Sequence, residues 1–335
     1  MFILNLIKEK KVKILAPMVN YSDLSYRLLA RRYGANICYT EMVHTEVFLR
    51  NKCNPTKNQF FYYSKEDTPL VIQICGNSPQ RMLECALILQ DYCDAIDINF
   101  GCPQNIAKRG NYGAFLEDKW ELISEIITLL SSNLKIPLFC KIRIFNDVKK
   151  TLKYAKMFEE CGCKLLAVHG RTKEQRGVDT GMADWEVIKE IKKILNIPVI
   201  ANGNILFYSD IQKCLNFTNC DGIMVAESHI YNPSIFIDQK ISCFDIFKEY
   251  ILLLKEYQRD LSLFRNHFYK IFHKILEELP DYRERIHKIK SIEEGEMVIV
   301  SLEEETEKLS NYNDIYYLQP RIRGEVYDAI NKSFK

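Results

Sequence analysis

The chain has 335 residues, 47% hydrophobic and 27% charged, which is enough for a full core with room for a second domain and too apolar for a disordered chain. Its formal net charge of +2 neither demands nor forbids a polyanionic partner, because a local basic patch can act under a neutral total. No apolar run reaches the roughly 18–20 residues of a membrane helix, and the opening MFILNLIKEKKVKIL is too short in its apolar part for a signal peptide, so a cytoplasmic or nuclear protein with no membrane contact is expected.

Up to about residue 235, short β-rich apolar runs alternate with helix-like stretches, the pattern of parallel βα units. In chain order the runs are Val12 to Met18, Asn36 to Met42, Pro69 to Cys75, Ala95 to Gly101, Pro137 to Ile144, Lys164 to Gly170, Ile197 to Gly203 and Asp221 to Glu227. Their interiors are nearly continuous in apolar residues, as strands covered on both faces require, and helical material such as Pro79 to Tyr92 and Val148 to Cys161 lies between them. Eight such units predict an α/β fold, a (β/α)8 TIM barrel over residues 1–240. An open doubly wound sheet is the rival, but no G-x-G-x-x-G follows the first run.

Beyond residue 240 the strand pattern stops, and helix-period segments such as Phe244 to Gln258 and Phe264 to Leu279 predict a smaller all-helical domain over 241–335. That region carries fifteen Lys/Arg against eighteen Asp/Glu, so any contact with nucleic acid requires a one-sided patch such as Arg265, Lys270, Lys274, Arg283 and Lys288. The alternative for each of these residues is a solvated helix face.

Polar residues mark the C-terminal ends of the eight runs: Met18, Glu41, Gln73, Asn99 with Cys102, Lys141 with Arg143, His169 with Arg171, Asn202 and Glu227. In a barrel these ends converge on the face where active sites are built. A lysine ending an apolar strand must be solvated or paired, and Lys141 suits a phosphate or an electron-rich ring, with a structural ion pair as the alternative. His169 could be a satisfied core residue, yet it precedes a donor-rich Gly-Arg-Thr. The loops ANGNI (201–205) and VAES (225–228) end the seventh and eighth runs, where barrels often cradle a phosphate, and Gln73 can offer donor and acceptor to a planar ring. Together they describe a pocket for a phosphorylated heteroaromatic cofactor.

The twelve cysteines lie singly in apolar segments and read mostly as reduced core thiols; Cys161-Gly-Cys163 lacks the second pair of a zinc site, so no metal is expected. Cys102 differs. It stands just past a strand end in a Gly-Cys-Pro turn, with Lys108 and Arg109 nearby and Gly110 and Gly113 in the loop, which makes it a candidate acid or nucleophile rather than a packed thiol.

The segments APMVNYSDLSYR, VIQICGN, DINFGCPQNIAKRGNYGAFL, CKIRIF, VHGRTKEQRG, IPVIANGNI and DGIMVAESHIYNPSIF resemble, in order, the tRNA-dihydrouridine synthase family. Within it, GCPQNIAKRG followed by YGAFL, and the Ala-Glu after the eighth run, are most similar to the eukaryotic class acting at D-loop positions 16 and 17; the tail LFRNHFYKIFHKILEELPDYRERIHKIKSIEE resembles that class's helical tRNA-binding domain. The resemblance implies a monomer with bound flavin mononucleotide (FMN), reduced by NADPH. It implies that Pro17, Met18 and Val19 line the flavin, Gln73 contacts its ring, Lys141 and His169 hold the ring and ribityl side, and Asn202, Gly203, Asn204, Ala226 and Glu227 hold the phosphate. Asn99 would bind the target uracil, with Lys108, Arg109, Arg143 and Arg171 available to phosphates or the base edge, and Cys102 would protonate C5 as hydride reaches C6. A thiol suits this role, because its ordinary pKa of about 8.5 keeps it mostly protonated at neutral pH.

Two positions depart from the class: Ser228 stands where Gly is usual, a change expected to restrict the phosphate turn, and Asn111 stands where His is usual. Two other functions compete with the synthase reading. A flavin oxidoreductase of a free pyrimidine has no use for the helical tail, and a tRNA-binding module without turnover has no use for Cys102, Lys141 and His169.

Overall fold

The computed structural model describes residues 2–50, 62–177, 180–257 and 260–318. Each of the eight apolar runs forms a strand: β1 (Val12–Leu15), β2 (Ile37–Tyr39), β3 (Leu70–Cys75), β4 (Ala95–Asn99), β5 (Leu138–Arg143), β6 (Leu165–His169), β7 (Val199–Asn202) and β8 (Gly222–Val225). Each strand pairs in parallel with the next, and β8 returns to β1 from Val12↔Gly222 to Leu15↔Val225, closing a (β/α)8 TIM barrel. A two-residue strand, Val43–His44, runs alongside the end of β3.

The two-residue period of the strands divides the core in two. In β5, Phe139 joins an interior cluster with Ile14, Tyr39, Val71, Ala95, Leu165, Ala167, Ile200 and Met224, while Leu138, Cys140 and Ile142 pack outward against the helices. The same parity carries Lys141 and Arg143 into the mouth above Phe139, Gln73 above Val71, Asp97 and Asn99 above Ala95, and His169 above Ala167. The upper end of the barrel interior is therefore a polar layer resting on an apolar one.

The opening segment, weighed in the sequence only as a signal peptide, is a helix, Phe2–Glu9. Its Ile3 and Ile7 are buried in the interior cluster, and because it leads into the start of β1 it closes the barrel at the end opposite the polar layer.

On the C-terminal side, helix Cys243–Glu256 begins at Ser242, whose hydroxyl accepts from the N–H groups of Phe244 and Asp245, and packs on the barrel helix Leu24–Arg32 and on helix Ile292–Thr306. The single helix expected from Phe264 to Leu279 is two, Leu261–Ile271 and Ile275–Glu278. At the break the His273 ring bonds the Lys270 carbonyl (3.0 Å), giving that oxygen a side-chain partner, and Pro280 follows the second piece. The Glu-rich stretch is helix Ile292–Thr306, with Glu303 and Glu296 paired to Lys248 and Lys255 of the neighbouring helix. Of the helical domain expected over 241–335, residues 319–335 lie outside the described residues, as do Gln258 and, among the cysteines, Cys53.

Candidate active site

Cys102 is partly exposed in the loop after β4, and its turn is held from three directions. Asn99 Oδ1 accepts from the N–H groups of Gly101 (3.0 Å) and Cys102 (2.8 Å). Arg143 Nε donates to the Gly101 carbonyl at 2.9 Å, and the N–H of Ala114 to the Cys102 carbonyl at 3.1 Å. Gly113 closes the third side: at φ +64° it lies so near that a Cβ would sit 2.8 Å from the Cys102 oxygen and 3.1 Å from its Cβ. Lys108 and Arg109 follow on the short helix Asn105–Gly110, both exposed. Asn111 ends that helix at φ +50°, a conformation asparagine tolerates, so this departure from the class fits its backbone.

The barrel mouth encloses a cavity of about 360 Å³. Of the residues expected at a cofactor or substrate, its walls bring together Pro17, Lys141, Arg143, His169 and Arg171 with the 202–204 turn and Ala226 and Glu227. Met18 and Val19 continue the β1 loop from Pro17, Val19 largely exposed. Among the described residues four cations, Lys141, Arg143, Arg171 and Arg176, line the cavity against one carboxylate, Glu227. That imbalance favours an anionic guest.

Burial pushes the Lys141 ammonium down to about 8, with the Arg143 charge pressing the same way and Asp97 and Cys102 opposing. Burial also brings Arg143 down to about 10. His169 is held well below the ordinary histidine value by burial and then by Lys141, Arg143 and Arg171, so its ring is neutral. Because Arg171 Nη1 at 3.0 Å can only donate, His169 Nε2 accepts and the ring proton sits on Nδ1.

Arg143 and Arg171, expected at phosphates or the base edge, spend much of their hydrogen bonding on the protein. Arg143 Nη1 reaches the carbonyls of Thr172 (2.7 Å) and Gln175 (3.2 Å), tying the β6 loop to the Cys102 turn. Arg171 holds the Gly181 carbonyl (3.0 Å) and Asn204 Oδ1 (2.9 Å). Asn204 is left-handed at φ +61°, and Gly203 at φ +115° has its missing Cβ position 2.6 Å from that of Ala183, so this turn admits only glycine there. Asn202 Nδ2 donates to the Met224 carbonyl (2.8 Å), linking β7 to β8. Ser228 lies in helix Glu227–Tyr231 without a positive φ, so its Cβ does not restrict the turn as the sequence led one to expect.

Gln73 and Asn99 are hydrogen-bonded to each other, and Gln73 to Asp97, which the residue-by-residue reading passed over. The signal was present: an acid between two isoleucines in AIDIN, on the inward parity of β4. Arg176, also missed, lines the cavity and donates to the Pro103 carbonyl.

The helical region meets the mouth at Lys270, whose Nζ donates to Tyr231 Oη (3.1 Å) and lies 5.7 Å from the ring of Tyr21 in the β1 loop. Three of the other four residues of the candidate basic patch are engaged locally, and Arg283 is exposed. Lys274 pairs with Glu277 (2.8 Å), Lys288 with Glu284 (2.6 Å), and Arg265 caps the carbonyls of Ile286 and Ile289.

The sequence pattern of the family described as Dihydrouridine synthase (Dus) matches residues 14–319. The chain is 44% identical over 280 residues to the Mus musculus protein named tRNA-dihydrouridine(16/17) synthase [NAD(P)(+)]-like, covering 84% of this chain and 59% of that one. It is 43% identical over 295 residues to the Schizosaccharomyces pombe tRNA-dihydrouridine(16/17) synthase [NAD(P)(+)], covering 82% and 72%, and 42% identical over 290 residues to that of Saccharomyces cerevisiae, covering 82% and 68%. The chain thus spans about three fifths of the mouse relative's length. Among solved structures, a 2-naphthoyl-CoA reductase in complex with 2-naphthoyl-CoA shares the fold at a TM-score of 0.50 and 12% identity, over 66% of this chain and 48% of that one. With the closed barrel, the thiol turn and the cation-lined mouth in place, the family pattern spanning nearly the whole chain shows that this protein belongs to the dihydrouridine synthase family.

Proposed function

We propose that this protein reduces uridine to 5,6-dihydrouridine in the D-loop of tRNA, at position 16, 17 or both, using FMN and NADPH, with Cys102 as the general acid. The observation that carries this reading is one barrel mouth in which a cation-rich cavity adjoins a clamped, partly exposed thiol turn. The residues fit a phosphorylated flavin: four cations face one carboxylate in the cavity that the 202–204 turn also lines. On this reading the phosphate is held at Asn202, Gly203, Asn204, Ala226 and Glu227, and the ring and ribityl side at Lys141, His169 and Gln73 beside Pro17, Met18 and Val19.

When bound, the flavin supplies the hydride that adds to C6 of the uracil. Cys102 gives its proton to C5 from the other side of the base, so the charge that develops on C5 and O4 is quenched as it forms. Lys141, kept positive below about pH 8, attracts electron density, and neutral His169 offers Nδ1–H without adding charge. The target base must leave its stack to enter the mouth, and the exposed Lys108 and Arg109 beside the thiol turn are placed to meet the phosphates that flank it. Lys270, at the seam of the helical region with the β1 and β8 loops, extends that path. Binding as a monomer in the cytoplasm or nucleus is consistent with such a substrate.

The test is mass spectrometry of unmodified tRNA after incubation with the purified protein and NADPH, beside free uracil and dihydroorotate. A D-loop uridine should gain two hydrogens. Turnover of a free pyrimidine with none of tRNA would replace this reading by a free-pyrimidine oxidoreductase, and tRNA binding by a colourless protein without turnover would replace it by a binding module.

A further inference from the structure

Asp97 is fully buried in the middle of β4, beneath the mouth, and it begins a chain of hydrogen bonds that ends on Cys102. Its Oδ2 accepts from Gln73 Nε2 at 2.8 Å. Gln73 Oε1 accepts from Asn99 Nδ2, also at 2.8 Å, and Asn99 Oδ1 accepts from the backbone N–H groups of Gly101 and Cys102. A backbone N–H can only donate, so the Gly101 and Cys102 end fixes the polarity of both amides, and Asp97 Oδ2 is the acceptor at the other end whether the carboxyl is ionised or carries its proton on Oδ1, the oxygen with no hydrogen-bond partner. Neither amide can flip without setting an oxygen against an oxygen at one end and an N–H against an N–H at the other.

From this we infer that Asp97 is a positioning residue, which orients the Gln73 and Asn99 amides and through them holds the Cys102 turn in the geometry for proton transfer. The inference deepens the proposed function and rests on the reading of Cys102 as the proton donor. It also states what the two amides have left to offer. Both lone pairs of Asn99 Oδ1 are taken by the two N–H groups, so Asn99 presents to a base only its second Nδ2–H, and the group of the uracil that it meets is a carbonyl oxygen rather than N3–H. Gln73 keeps one N–H and one lone pair. No other buried carboxyl among the described residues is joined to the thiol turn by such a chain, and the site's other braces, Arg143 and Gly113, act on the turn from outside it.

The test is the rate at which iodoacetamide alkylates Cys102 in the full-length protein, read by peptide mass spectrometry, with the partly exposed Cys161 in the same digest as the internal control. Asp97→Leu, close in size but unable to accept, should change the Cys102 rate at least about threefold while leaving Cys161 unchanged, and Asp97→Asn, whose oxygen still accepts from Gln73, should stay within about twofold of wild type. Because the residues act in one chain, Asp97→Leu combined with Asn99→Ala should differ from Asn99→Ala alone by less than about twofold. A Cys102 rate unchanged in Asp97→Leu, or effects that multiply in the double variant, would overturn the inference. Should Asp97→Leu not fold, Gln73→Met cuts the same chain one link later and must shift the Cys102 rate equally. If the wild-type protein reduces no tRNA, the functional reading falls while the alkylation rates still decide the role of Asp97.

Discussion

Asp97 and Glu41 are acids enclosed at the barrel mouth, and burial is the first cause that pushes each up to about 7. For Asp97 the Gln73 hydrogen bond and the Lys141 charge pull the other way, and for Glu41 the Asn20 backbone N–H does. An acid whose folded pKa lies above its unfolded value, about 4, favours the native state only while protonated. That contribution is complete below about pH 4 and is lost as pH rises to 7, so between pH 4 and pH 7 the denaturant midpoint of the wild type should fall relative to that of Asp97→Asn, a comparison in which the opposing effect of the buried histidines is common to both proteins. An identical slope in the variant would contradict the burial of this charge. At Gly113 the cost is of backbone and space together: Gly113→Ala places a Cβ 2.8 Å from the Cys102 oxygen at φ +64°. The conformation alone is worth about 1–2 kcal/mol. Thermal unfolding should show at least that loss, and turnover should fall further than stability because the displaced atoms are those of the thiol turn.

At the scale of elements, helix Phe2–Glu9 and the polar mouth occupy opposite ends of the barrel, which separates stability from activity. Ile7→Ala should cost about 2–5 kcal/mol, as buried aliphatic truncations do, and leave the kcat of the remaining folded protein unchanged; a variant that is stable but inactive would contradict this division. The eight strands were legible because a strand covered on both faces must be almost wholly apolar, and the polar residue ending each run marks the one face where that rule is relaxed. The opening helix has a helical spacing, Ile3 and Ile7 four residues apart, but the surface they cover, the lower end of the barrel, exists only once the barrel has closed. The break at Phe272–Lys274, where a side-chain hydrogen bond interrupts an otherwise continuous helical period, was not legible. Within the site, the residue types could be read from the strand ends, but the engagement of Arg143 and Arg171 with backbone carbonyls could not, because it depends on which loops the barrel brings together.

Across the whole molecule, the barrel and the C-terminal helices are joined at Asp23. This residue caps helix Leu24–Arg32 through the Tyr26 N–H (3.1 Å) and accepts from His267 Nε2 (3.0 Å) and Tyr250 Oη (3.2 Å) of the helical region, while His267 stacks on Tyr26 at 4.1 Å. The same seam presents Lys270 beside the mouth, whereas Lys274 is already paired with Glu277. Lys270→Glu should therefore weaken tRNA binding and reduce its salt slope by about 1, more than Lys274→Glu does, with the flavin retained; equal effects from the two variants would remove Lys270 from the path. The central claim is that Cys102 delivers a proton to the base, and the two half-reactions of wild type and Cys102→Ala test it most directly. Reduction of the bound flavin by NADPH should be the same in both proteins, and reduction of tRNA by the reduced flavoprotein should be slower in the variant by about 10²–10⁴-fold, the usual contribution of a general acid. Equal rates of tRNA reduction in the two proteins would contradict the account.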